Sequence, residues 1–221
     1  MKNNSFLKKT YYFLTVCVFI NLMSIGSAEA VTIATFSDPA IDGSEPLLEV
    51  DLVGGKITSR WDDDKTGLTL NVSGTPYNNS FFIITDSSDN TGITYAGDIS
   101  GGATGSGKIK FFQDGQNTST DPLVLIEFES AQLTLTNFAG TDHWFYANDV
   151  DISGTAVSIA LIDESFSFSL SNHVPINSDW NNGYTATAAF SSSGAVPEPA
   201  TIALLGVGWL IANLARKRKA V

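Results

Sequence analysis

Apolar and polar residues alternate along most of this chain with a period of two, and that period predicts β-strands. Leu48, Val50 and Leu52 alternate with Glu49 and Asp51, and Leu68, Leu70 and Val72 with Thr69, Asn71 and Ser73. Phe166, Phe168 and Leu170 alternate with Ser165, Ser167, Ser169 and Ser171, the clearest amphipathic run in the chain. Residues 32–36, 56–61, 80–85, 93–95, 108–113, 123–128, 133–135, 143–147, 157–161 and 184–190 read as further strands. Leu123 to Ile126 is apolar on both faces, which predicts a central position.

Turn chemistry separates these runs. Gly54-Gly55 reads as a two-residue hairpin turn, Gly74-Thr75-Pro76 as a break, and Asp163-Glu164 as a tight polar turn. Residues 86–107, mostly Gly, Ser, Thr, Asp and Asn, read as long loops around one short strand. About eleven to thirteen short strands with no helical period before residue 200 predict an all-β body, an antiparallel β-sandwich of jelly-roll type. The body is expected over residues 31–190, with 191–196 as a flexible linker.

Both ends break the pattern. Lys2, Lys8 and Lys9 precede an apolar run over 11–23, and Ala28-Glu29-Ala30 supplies a small-x-small cleavage pattern, so residues 1–30 read as a signal peptide cut after Ala30. The Sec translocon and signal peptidase are the implied partners. At the other end Pro197-Glu198-Pro199 is held extended by its prolines, and Pro199 suits the first turn of a helix. From Ala200 to Ala215 only Thr201 and Asn213 are polar. A helix there is about 24 Å long against a hydrocarbon core of about 30 Å. Arg216, Lys217, Arg218 and Lys219 can snorkel to close that gap and would stay cytoplasmic, predicting one transient span of the inner membrane.

The order Pro-Glu-Pro, apolar stretch, basic end resembles the PEP-CTERM sorting signal, over residues 197–219. The resemblance implies recognition by an exosortase, removal of the tail, and delivery of the body to the surface of a Gram-negative bacterium that makes exopolysaccharide.

Charge sharpens the division. Seven of the 12 Lys and Arg lie in the two end segments, so residues 31–196 keep five against 21 Asp and Glu, near −16. Such a surface repels nucleic acid, which is excluded as a partner, and holds divalent cations weakly. The sole cysteine, Cys17, lies in the segment to be removed, so the exported body has no thiol chemistry.

Candidate chemistry is sparse. Gly102 to Lys108 matches most of a phosphate-binding loop, but Ile109 stands where a Mg²⁺-holding hydroxyl is needed and a β-run follows. His143 and His173 are the two imidazoles, without a Gly-x-Ser-x-Gly elbow. Glu127 with Glu129, and Asp149 with Asp151, share strand faces, as solvated acids commonly do. They are the residues a glycan-acting hydrolase or lyase would need. Ca²⁺ candidates are Asp149 and Asp151, or the run Asp62-Asp63-Asp64, without EF-hand spacing. No other cofactor is expected. Trp144, Tyr146, Trp180 and Tyr184 could stack on sugar rings, or could plug the ends of the core. The expectation is a secreted, non-enzymatic surface or matrix protein; the alternatives are a carbohydrate-binding module and the two-carboxylate enzyme.

Overall fold

The computed structural model describes residues 29–37, 47–59, 67–116, 118–135 and 143–196. The expected span at 200–215, the Pro-Glu-Pro motif, the basic cluster, Ala28, Trp61 and the Asp62-Asp63-Asp64 run lie outside them. Among the described residues no helix is long and apolar enough to cross a membrane. Ala30–Val196 forms one compact unit.

Among the described residues thirteen strands follow in chain order: β1 (Glu29–Phe36), β2 (Leu48–Asp51), β3 (Lys56–Ser59), β4 (Leu68–Val72), β5 (Thr75–Asp86), β6 (Ile93–Asp98) and β7 (Gly101–Thr104). β8 (Gly107–Gln113), β9 (Val124–Phe128), β10 (Gln132–Leu135), β11 (His143–Ser153), β12 (Ile162–Pro175) and β13 (Gly183–Val196) complete them. All ladder neighbours are antiparallel, as the alternation predicts.

Hydrogen bonding joins the strands into one continuous sheet instead of two separate ones. Three long strands, β11, β12 and β13, lie side by side and are shared by two closed circuits of pairing. One circuit returns through β1, β4, β5, β8 and β9, the other through β2, β3, β6, β7 and β10. Their length permits this. β11 pairs through 143–146 with β10 and through 151–153 with β9, while β13 pairs through 183–186 with β2. Closing both circuits removes most free edges, the feature that makes open sheets prone to aggregate.

Bulges let such long strands bend, and the sequence marks them. Ladder register shifts between Asn148 and Val150, between Ile162 and Ser165, and between Ser171 and Val174. Asp149, Asp163 and Asn172 carry positive φ at those points, a conformation Asp and Asn tolerate better than other residues with a side chain. Asp163-Glu164 is therefore a bulge within β12, not a turn between strands.

The core is one cluster lined by the inward residues of nearly every strand. Phe168 sits at its middle, fully buried, with ring centroids 4.9 Å from Phe190, 5.4 Å from Phe82 and 5.9 Å from Phe145. One buried polar residue replaces a ladder contact. Ser192 Oγ accepts from the Ala34 N–H at 3.1 Å and donates to the Ala34 carbonyl at 3.3 Å, tying β13 to β1.

Several expectations are corrected. Residues 191–196 are the end of β13, not a flexible linker, because Ser192 and Gly194 continue the inward alternation and stay buried. Residues 157–161 alternate but form no strand. Pro76 lies inside β5, where that strand pairs with β4 and before its pairing with β8 begins at Ser80, so a missing N–H is tolerated. The turn between β2 and β3 takes four residues, with the Asp51 carboxylate accepting from the Val53 and Gly54 N–H groups.

The Gly102 to Lys108 stretch is strand, bend, strand, not a phosphate loop. Glycine is required at Gly102 because a Cβ there would meet the Gly97 Cα and the Ala96 carbonyl across the ladder. That close approach is why β7 carries no alternation to read.

Candidate functional site

Strand alternation turns Trp144, Tyr146 and Asn148 of β11 to the same face as Ser165 and Ser167 of β12. The register lines them up in rows: Trp144 opposite Ser169 and then Ala189, Tyr146 opposite Ser167 and then Ser191, Asn148 opposite Ser165 and then Ser193. Trp144 is 40% exposed and Tyr146 is half-buried. With Phe166 at its floor the rows form a groove of about 370 Å³. Ser165 and Ser193 are joined by a 3.0 Å hydroxyl hydrogen bond across it.

The other two predicted aromatics are not part of this groove. Pro175 ends β12, and two short 3₁₀ turns follow, with the Asp179 carboxylate accepting from the Asn181 N–H. Gly183 then enters β13 at φ 110, where a Cβ would run into the Val50 carbonyl oxygen. This turn sets Trp180 against Tyr184, ring centroids 6.5 Å apart. Tyr184 is 1% exposed, so it is a core residue and not a surface platform for sugar. Burial raises its phenol well above the ordinary range.

The His143 and His173 rings lie tilted at 36° to each other with centroids 3.9 Å apart, and His173 also meets the Tyr184 ring edge-on at 5.1 Å. Burial, aided by repulsion from His143, pushes the His173 imidazole down to about 4.

The acids gather elsewhere. Glu127 of β9, Glu129 just beyond it, and Asp149 and Asp151 of β11 line a second groove with Lys108, and Asp151 lies directly opposite Glu127. Lys108 pairs with Glu127 at 3.6 Å and with Asp89 at 3.2 Å, while Lys110 reaches Asp89 at 2.7 Å. These two ammonium groups hold the Asp89 carboxyl below the usual range. Glu164 is raised by burial and by Asp151, and it is already engaged, accepting from the Ile152 N–H. Among the described residues no three His, Cys, Asp or Glu side chains are grouped to hold a metal ion.

Ala30 lies exposed near the start of β1, ahead of that strand's paired residues Ala34 and Thr35. Cleavage after it would leave those pairs in place. The serines of the first groove were visible as an amphipathic repeat in β12, but Ser191 and Ser193 read as linker. Only the pairing with β13 brings the two sets together.

Residues 195–219 match the family described as the PEP-CTERM protein-sorting motif. The match covers the Pro-Glu-Pro residues and the basic cluster, and it begins at the last two residues of β13. No curated protein and no solved structure matches the chain.

Proposed function

We propose that this is a secreted, non-enzymatic protein of the cell surface or extracellular matrix, whose all-β body is carried there by a removable tail. The sorting motif over 195–219 is the observation that carries the reading. In the proposed route the Sec system exports the chain and signal peptidase trims it after Ala30. The apolar stretch then holds it in the inner membrane with the basic cluster inside, and an exosortase cuts near Pro197-Glu198-Pro199. The body is released into an exopolysaccharide or biofilm layer.

The structure's support for a non-catalytic body is that its candidate bases are engaged. The half-buried His173 ring packs against His143 and Tyr184, and the raised carboxyl of Glu164 accepts a backbone hydrogen bond from Ile152. A two-carboxylate glycan hydrolase would draw on Glu127 and Asp151, which do meet from different strands.

Deleting residues 200–221 and fractionating the cells tests the route. The truncated chain is expected to be absent from the surface fraction, and its arrival there at the level of the full chain would refute sorting by the tail.

A further inference from the structure

We propose that the outer face of β11, β12 and β13 is a binding site for a chain of an uncharged polysaccharide. The ligand class goes beyond the surface-protein reading, and its test does not depend on how the chain is sorted.

Three observations converge on it. First, the two rings on this face are placed in series. Trp144 and Tyr146 are two residues apart on one strand, which sets them about 7 Å apart along it. A sugar offers an apolar C–H face flanked by hydroxyls. Trp and Tyr match that with a flat apolar ring and one polar atom each, at little cost in side-chain entropy.

Second, the rest of the face is made of hydroxyls and amides. Asn148, Ser165, Ser167, Ser191 and Ser193 line the groove beside the rings, and each can both donate and accept. The rows cross three strands at about 4.8 Å spacing. A ligand rich in hydroxyls can therefore bond to several of them while its apolar face lies on Trp144.

Third, the face is neutral on a body near −16. None of the residues lining this groove is charged, and the flanking β10 presents Thr134 and Gln132 beside Trp144 and Tyr146. Four acids line the other groove instead, at the end of β9 and the far end of β11. An anionic polysaccharide would be repelled by the surrounding surface, whereas an uncharged one would not. A protein partner fits less well, since serine is depleted at protein interfaces.

The test is affinity electrophoresis of the detergent-solubilised full chain through gels containing amylose, dextran or soluble cellulose derivatives without charge. Alginate serves as the anionic arm. At least one neutral glucan is expected to retard the chain and alginate is not. Trp144→Ala should weaken that retardation about tenfold, Trp144→Phe should keep most of it, and Ser167→Glu should weaken it. All three should melt at the wild-type temperature, because the side chains changed are not in the core. Retardation by none of the neutral glucans, stronger retardation by alginate, or equal binding by Trp144→Ala would each overturn the proposal. So would self-association that Trp144→Ala abolishes in a chain that binds no glucan.

Discussion

Phe168→Ala removes the ring at the centre of the core and opens a cavity among the rings around it. The side chain is fully buried and packs on Phe36, Phe82, Phe145, Phe166 and Phe190, with centroids between 4.9 and 6.1 Å. Those five rings come from five different strands or circuit positions, so the site cannot collapse by moving one element. A truncation of this kind costs about 3–5 kcal/mol, which for a body of this size lowers Tm by about 6–20 °C. Ser169→Ala is the matched control. It changes the next residue of β12, which points to the opposite face, and should stay within about 0.5 kcal/mol. Urea titration followed by far-UV circular dichroism gives both values. Since a slip of one residue would exchange the two faces, a Ser169→Ala cost equal to or larger than that of Phe168→Ala would refute the packing and register of β12.

His173 makes stability depend on pH. Its imidazole is held at about 4 in the fold against 6.5 in an open chain, so between those values the unfolded chain binds the extra proton. The contribution is fully present above pH 6.5 and is lost as pH falls toward 4. It amounts to about 1–2 kcal/mol once the ring's partial exposure is allowed for. Denaturation at pH 7 and pH 5 should show His173→Gln losing less stability between the two than wild type; equal losses would contradict it. Ser192→Ala leaves the buried Ala34 N–H without its acceptor and should cost about 1–3 kcal/mol. Hydrogen exchange at Ala34 should accelerate, and an unchanged rate would contradict the tie between β1 and β13.

Most of the strands were legible because their inner faces are built from Phe, Ile, Leu and Val against Ser, Thr and Asp outside. Phe166 to Leu170 and Leu68 to Val72 needed only the period of two. β7 escaped because close approach of the Gly97 backbone at Gly102 and of the Leu133 carbonyl at Gly101 calls for glycine at both, which leaves too little of the short strand to carry a pattern. The 157–161 run misled in the other direction. Val157 and Leu161 do pack on the core, but from an irregular segment. The shared use of β11 to β13 by two circuits could not be read at all, since it depends on which half of a long strand meets which neighbour. The same limit hid the candidate groove. Trp144 and Tyr146 were visible as a local pair, whereas Ser191 and Ser193 join them only through non-local pairing. Tyr184 looked like a surface ring because Asn182-Gly183 marks a turn, yet Gly183 directs the next residue inward.

The most direct measurement is the intact mass of the protein recovered from the cell surface. The proposed route yields a species that begins near Val31 and ends before Ala200, so that it lacks both apolar segments and all four residues of the basic cluster. A surface form that still carries residues 200–221 would show that the tail is not a removable sorting label.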